Sequence, residues 1–397
     1  MSKKYDLIVI GGGPMGLSTA YQASSRGKNV LIIEKQGFLN ESGSSAGASR
    51  QFRLQYAQQY MSELVLSSQN FWADLQSYTF KTLIKQCGSL WFGDPSLSSQ
   101  EGGIKAAEKV MDHLNIPYKP LTAEQIEQEF AFKNLPSDYR GFFQPSGGII
   151  NLKATEEALF NAAIKTGRVE FLEYEPVNNI DAEVENAIKV STATSTYQSS
   201  QLAICAGPYT NDLLSLFNLK VGINIWQMSS AYFRKTKAMN NLPTWFVFQK
   251  PQSSALFYGF PEVDWSHPGY LRVATDFPDK IIDSPKERTY TPSPESLSLD
   301  AQWVEKHMDG LDSTPQFTST CLISLSQDSS KELLLDYLPK SHPNSRNIVV
   351  YTAGWAAKFI PILGDMINQM LDGPVESFDY GTYSIDRSNF TIEWQKQ

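Results

Sequence analysis

The sequence predicts an α/β chain: a Rossmann-type, nucleotide-binding parallel sheet with an α+β substrate domain interleaved through it. Three observations carry this. A β-branched run over residues 5–10 passes into Gly11-x-Gly13-x-x-Gly16 and then into a helical pattern. A second apolar run, Val30–Ile33, ends at Glu34. Two later runs, 202–206 and 348–353, lead into Ala-Gly just as the first leads into glycines.

The run over 5–10 lacks polar alternation, the pattern of a strand covered on both faces. Leu17, Ala20, Tyr21 and Ala23 give the helical spacing that stops at Gly27, and the strand after it completes a βαβ unit of standard length. Residues 42–49 are rich in Gly and Ser and read as a loop. Periodicity predicts helices over 60–75, 100–114 and 154–166. Extended segments are expected at 169–172, 188–193, 202–205, 232–233 and 245–248. A last buried strand at 348–351 precedes Gly354 and a helical stretch over 356–371. Placing 202–206 and 348–353 in the first sheet divides the chain. Residues 1–85, 150–215 and 320–397 form the nucleotide-binding domain, and 86–149 and 216–319 the substrate domain.

A length of 397 residues fits two domains. Hydrophobic residues make up 41%, with 22 Phe, 18 Tyr and 8 Trp, ample for buried cores and incompatible with wholesale disorder. The formal net charge of −8 argues against nucleic acid or an anionic membrane as partner. Cysteines occur only at 87, 205 and 321, too scattered for a disulfide framework, and the four histidines show no metal-ligand spacing. No metal is expected. The N-terminus lacks the pattern of a secretory signal, and no uninterrupted apolar run reaches about 18 residues, the longest candidate, 347–363, carrying Lys358, so a cytoplasmic protein is expected.

The glycine fingerprint has a defined physical task. Gly11 makes the tight turn, Gly13 admits a pyrophosphate to the backbone, and Gly16 lets helix pack on strand. The helix N-terminus offers free N–H groups to the phosphates, and Glu34 stands where a carboxylate takes ribose hydroxyls. FAD and NAD both satisfy this pattern. Arg50 and Arg53 flank the Gly/Ser loop, and arginine suits a bidentate carboxylate clamp; both also suit surface ion pairs. Trp355 and Lys358 follow a buried strand, at the carboxyl end where ligands of open α/β sheets bind. A lysine there needs an anionic partner, such as a substrate carboxylate or a reduced flavin, or must reach its head into water. Cys321 lies in an extended segment; by spacing alone it, Cys87 and Cys205 read as small buried hydrophobes.

In this order the pieces resemble the monomeric sarcosine oxidase family of amine-oxidising flavoproteins, across nearly the whole chain. The resemblance rests on Gly11–Gly16 with Glu34, Arg50 and Arg53, Ala206-Gly207-Pro-Tyr-Thr-Asn211, Phe257-Tyr258-Gly259-Phe260, Thr320-Cys321-Leu322, Asp336, and Ala353-Gly354-x-x-x-Lys358-Phe359. It implies a glutathione-reductase-like FAD-binding domain with a D-amino-acid-oxidase-like α+β substrate domain. It further implies FAD attached covalently through Cys321, and a substrate carboxylate held by Arg53 and Lys358. Within the family the likeness is greatest to the nikkomycin-pathway branch, which oxidises piperideine-2-carboxylate toward picolinate. Trp355 and Asp276 stand where sarcosine oxidases carry histidines, Glu101 is an acid shared with that branch, and Arg272 replaces a lysine.

The implied function is therefore oxidation of a cyclic imino or amino acid with reduction of O2 to H2O2, in antibiotic biosynthesis, by a cytoplasmic monomer. Glu101 and Asp276 are the acid–base candidates, Trp355 the aromatic wall, and Tyr258 a further member of the site. The alternative is a secondary amino acid oxidase acting on pipecolate, proline or sarcosine. A flavin-bound scaffold without turnover and a nicotinamide-dependent dehydrogenase are the rivals from other classes.

Overall fold

A computed structural model describes residues 4–99, 102–239, 241–251 and 256–396. The first β-strand, Lys4–Ile10, is followed by the helix Pro14–Ser25 and the strand Val30–Ile33. These strands run parallel, and parallel neighbours extend the sheet on both sides: Val169–Leu172 beyond Val30–Ile33, then Thr196–Ile204 and Ile348–Thr352 beyond Lys4–Ile10. Both runs assigned to this sheet from the sequence are in it. Leu334–Tyr337 closes one edge in the antiparallel sense. Asn179–Val184 and Ala187–Ser191 form an antiparallel extension on the first half of Thr196–Ile204.

Helices Pro14–Ser25, Leu152–Lys165 and Ile360–Asp372 pack together over one face of this sheet. The stretch expected as one helix over 356–371 opens with a single 3-10 turn, Ala356–Phe359, before the α-helix begins. Ser68 and Trp72 of the helix Gln59–Gln76 both donate to the Lys358 carbonyl, Trp72 Nε1 at 2.8 Å, and fix that turn.

The second large sheet is mostly antiparallel. From one edge it runs Lys280–Ile282, Ile223–Lys235, Tyr270–Thr275, Phe257–Phe260, Thr244–Phe248, Ser89–Gly93, Arg140–Gln144 and Lys119–Thr122. The long strand Leu311–Ser326 also pairs with Ile223–Lys235. Its two faces are sorted by strand alternation. Trp245, Val247, Phe257 and Val273 face the helix Pro294–His307, whose Trp303 stacks on Trp245 at 4.6 Å and on Phe257 at 5.4 Å. Phe246, Tyr258, Phe260 and Arg272 point the opposite way, toward the first sheet.

Three expectations are corrected. The domain boundary placed between residues 319 and 320 cuts the strand Leu311–Ser326, which stays paired with Ile223–Lys235 as far as Ser326. The helix expected over 100–114 is Ile104–His113: Gly102 and Gly103 precede it, and Gly102 pairs with Ser99 instead. Cys205 is buried, as a small hydrophobe would be, but Cys87 is only partly so.

Candidate active site

A cavity of about 560 Å³ opens between the two sheets. It begins at the carboxyl ends of the parallel strands and ends under the second sheet. At its first end lie Gly11, Gly12, Gly13, Pro14 and Met15. A side chain at Gly16 would put Cβ 1.8 Å from the Gly11 carbonyl oxygen, so helix and turn meet only through glycine. No side chain among the described residues caps the helix at Gly13, which leaves its first N–H groups facing the cavity. Glu34 accepts from Gly12 N–H at 2.7 Å and from Gln36 N–H at 2.9 Å, and lines the same end. These groups fit a dinucleotide: anion-seeking amides, room at Gly13, and a carboxylate at the end of the second strand.

Arg50 lies along the cavity, but its guanidinium serves its own loop. It donates to the carbonyls of Ser44 at 2.6 Å, Ala46 at 2.7 Å and Ser49 at 2.8 Å. The Gly/Ser segment is thus shaped around one cation. Glu156, from the helix Leu152–Lys165, also lines this part; burial pushes its carboxyl up to about 8.

The other end gathers the remaining candidates. Cys321, partly exposed, lines the cavity from the strand Leu311–Ser326. Trp355 packs with it against a cluster of Met228, Ile323 and Leu325. Trp355 Nε1 is shut off from solvent, with no hydrogen-bond partner among the described residues.

Arg53 and Lys358 are 2% and 5% exposed, so neither reaches into water as a surface cation would. Both stand over one ring: the Arg53 guanidinium carbon is 4.6 Å, and Lys358 Nζ 5.8 Å, from the centre of the buried Tyr56. Arg53 also lies 5.1 Å from the Trp91 ring. Lys358 Nζ donates to the Trp355 carbonyl at 2.9 Å. Burial and the neighbouring Arg53 push the lysine well below its usual range, while Glu332 and Asp276 oppose that shift.

Asp276 follows the strand Tyr270–Thr275 and lines the same end. Burial pushes its carboxyl up to about 7, against the pull of Arg53 and Lys358. Tyr258 accepts from Arg272 at 3.4 Å, and burial raises its hydroxyl. Arg272 also donates to Ser230 Oγ and the Ser49 carbonyl, at 3.0 and 2.9 Å.

The structure therefore brings Arg53, Tyr258, Asp276, Cys321, Trp355 and Lys358 to one end, and Gly11, Gly13, Glu34 and Arg50 along the rest. Gly16 supports the turn from behind. Glu101 lies outside the described residues. Asp336 is away from the cavity; it takes Arg387 at 2.7 Å and the N–H of Ile392 at 3.0 Å, and so holds the C-terminal segment. Sequence reasoning missed Glu332, whose carboxyl burial raises while Arg53 and Lys358 hold it down, and Tyr56 as the surface the two cations share. Tyr56 closes the segment Gln51–Tyr56, and that proximity to Arg53 was its one available signal.

With the geometry in place, the kinship is clear. The family model of the DAO group, FAD dependent oxidoreductase, matches residues 6–370. The chain belongs to this family. Its sheets, cavity and fingerprint are those of an FAD-dependent oxidoreductase, in the group that contains the sarcosine oxidases and NikD. A solved structure of NikD, described as an unusual amino acid oxidase essential for nikkomycin biosynthesis, superimposes with a TM-score of 0.91 at 34% identity, covering 100% of this chain and 99% of that one. Human peroxisomal sarcosine oxidase is 25% identical over 96% of each chain. A Dictyostelium discoideum protein, named provisionally as a bifunctional amine oxidase, is 32% identical over 97% of this chain, which spans 37% of that relative's length. No helix among the described residues is long and apolar enough to cross a membrane.

Proposed function

We propose that the protein is an oxidase of a cyclic imino or amino acid of the piperideine-2-carboxylate class, with O2 as acceptor and FAD attached through Cys321. One observation carries this reading: two buried cations, Arg53 and Lys358, converge with Asp276 and Trp355 on the cavity end that also holds Cys321. Two desolvated cations beside one aromatic wall suit a flat carboxylate. The likeness to NikD supports a cyclic imino acid over other amines, and models the protein's setting as antibiotic biosynthesis. A cytoplasmic monomer is part of this proposal, the monomer by likeness to the monomeric sarcosine oxidases.

FAD, when bound, supplies the two-electron acceptor. The chain's residues prepare the substrate. Arg53 and Lys358 fix the carboxylate and with it the ring's orientation. Asp276, poised near neutral pH, takes a proton from the ring nitrogen or the adjoining carbon. Trp355 covers the flat ring and excludes water. Converting a piperideine carboxylate to a pyridine carboxylate removes four electrons, so the same ligand is oxidised twice.

The test is anaerobic mixing of the purified holoprotein with a panel of cyclic imino acids, pipecolate, proline and sarcosine, with products identified by mass. Bleaching of the flavin by the cyclic imines, with a pyridine carboxylate as product, is expected. Bleaching by sarcosine or proline alone moves the assignment to a secondary amino acid oxidase.

A further inference from the structure

Two separate parts of the chain line the cavity side by side: Asn40, Ser42 and Gly43 at the head of the Gly/Ser loop, and Cys321 and Leu322 on the strand Leu311–Ser326. One side chain from a third segment joins them. Arg288 follows the 3-10 turn Pro285–Glu287, just beyond the edge strand Lys280–Ile282. Its Nη1 donates to the Glu41 carbonyl at 2.6 Å, its Nε to Thr320 Oγ1 at 3.3 Å, and its Nη2 to the Thr320 carbonyl. Thr320 Oγ1 donates in turn to the Thr289 carbonyl at 2.8 Å, which ties the strand back to the segment that carries the arginine. On the other side of Cys321, Leu322 N–H donates to the Gly43 carbonyl at 3.4 Å.

We propose that Arg288 is a positioning residue of the FAD site: it clasps the head of the Gly/Ser loop to the strand of Cys321, and so keeps the cavity closed around FAD once the cofactor is bound. The inference goes beyond the oxidase reading and rests only on FAD binding, which belongs to the family. The geometry calls for a guanidinium. One planar fork serves three acceptors on two segments, whereas an ammonium is a point charge that cannot reproduce the fork. The acceptors are carbonyls and a hydroxyl; the Glu41 carboxylate itself pairs with Lys153. Arg50 shapes the same loop from within, through the carbonyls of Ser44, Ala46 and Ser49, and Arg288 fixes it from outside.

The clasp is also placed where it can open. Arg288 is only partly buried, and the ring it lies over, Tyr290 with its centre 4.5 Å from the guanidinium carbon, is largely exposed. When the three bonds break, water solvates the cation, so opening strands no charge in the interior. Arg288 does not line the cavity, whereas Lys286, two residues before it, does. Its effect on FAD therefore passes through the loop and the strand. A direct attraction of charge for phosphate would act through any cation at the same place, and that difference separates the two roles.

The experiment uses the full-length holoprotein carrying Cys321→Ala, in which FAD is held reversibly, and adds Arg288→Ala, Arg288→Lys, Thr320→Val, or Arg288→Ala with Thr320→Val. Release of FAD is followed by gel filtration as loss of the visible flavin band from the protein. Arg288→Ala should speed release by roughly 10- to 100-fold, as expected for loss of charge-assisted hydrogen bonds, while uptake of FAD stays within about threefold. Arg288→Lys should recover only a small part, although it keeps the charge. Thr320→Val should speed release less, and adding it to Arg288→Ala should change release by no more than about twofold, since both remove one clasp. In holoprotein with Cys321 intact, amide hydrogen exchange over residues 40–46 should quicken in Arg288→Ala. Unchanged release or exchange, full recovery by Arg288→Lys, effects of the two sites that multiply, or uptake slowed as much as release is quickened overturns the inference. If Arg288→Ala fails to fold, Arg288→Lys and Thr320→Val decide by the same comparison; if Cys321→Ala retains no FAD, the exchange measurement decides. Release of FAD by wild type on acid precipitation would refute the Cys321 linkage instead, and the same series without Cys321→Ala then decides Arg288.

Discussion

The ammonium of Lys358 turns back on its own chain and donates to the Trp355 carbonyl at 2.9 Å. The relationship ties the proposed carboxylate clamp to the proposed aromatic wall within one 3-10 turn, Ala356–Phe359. Trp72 and Ser68 hold the Lys358 carbonyl from the opposite side. Loss of the ammonium therefore removes a charge and also loosens the backbone that carries Trp355. Lys358→Met should weaken flat carboxylates more than Arg53→Ala does, and should change the flavin's visible spectrum even without ligand. Spectral titration of the two variants checks both expectations.

Arg53→Ala leaves the tyrosine ring in place and removes one cation. Losing a charge-assisted contact in a desolvated site costs on the order of 2–3 kcal/mol, roughly 30- to 150-fold in affinity. Arg53→Lys should recover only part of this, since an ammonium cannot reproduce the planar fork. Benzoate and picolinate dissociation constants give the measurement. Unchanged binding in Arg53→Ala would remove the guanidinium from the clamp.

The fingerprint half of the protein was legible because its physics is local. Strands covered on both faces read as unbroken apolar runs, and Gly16 is required by a close approach that no side chain survives. The second sheet was harder to read. Its strands alternate aromatics between two destinations, Trp245 and Phe257 to a helix, Phe246 and Tyr258 to the cavity, so neither face stands out as polar. The helix Pro294–His307 went unread although Ser293 caps it and Pro294 opens it, signals weakened by the Ser-rich turn that follows. Glu332 sits in a polar stretch before a strand, where an acid reads as solvated. Only the fold shuts its Oε1 off from solvent. Arg53 and Lys358 are 305 positions apart in the chain, and resemblance rather than spacing paired them.

Covalent attachment through Cys321 makes a simple prediction. Acid precipitation of the loaded protein should leave the yellow colour in the pellet. Cys321→Ala should bind FAD through the fingerprint end of the cavity and release it on denaturation. A yellow supernatant from intact, loaded wild-type protein would sink the linkage while leaving FAD binding untouched.

Asp276 sets a pH dependence with a definite sign. Burial raises its carboxyl to about 7, so the proton leaves as pH rises through that value, and only the ionised form accepts a proton from the substrate. The rate of flavin reduction at limiting substrate should rise through about pH 7 in wild type. Asp276→Asn should flatten this limb and lower the rate by roughly 10²–10⁴-fold, the usual contribution of a positioned base. The same carboxyl has the opposite sign in stability. Its folded value exceeds the unfolded one, so its contribution is fully present below about pH 4 and is lost as pH rises through about 7. Asp276→Asn should therefore be no less stable than wild type at pH 8, by thermal unfolding. A rate profile that keeps its limb in Asp276→Asn would assign the base elsewhere, with Glu101 the next residue to test.

Trp355 supplies the last test, of substrate shape. It packs with Cys321 against Met228, Ile323 and Leu325, and it lines the cavity end that holds the two cations. A flat ring held there by its carboxylate would lie against the indole, and such a contact is worth about 0.5–1.5 kcal/mol beyond plain burial. Trp355→Phe keeps an aromatic surface but shrinks it, so flavin attachment should survive while aromatic carboxylates weaken more than acyclic ones. Trp355→Ala should widen that difference, because contact area is lost as well. Titrating both variants with picolinate and with an acyclic carboxylate separates the two roles open to this residue. Unequal loss identifies Trp355 as the wall that selects a ring. Equal loss makes it packing around Cys321, and the choice of a cyclic substrate would then rest on kinship alone.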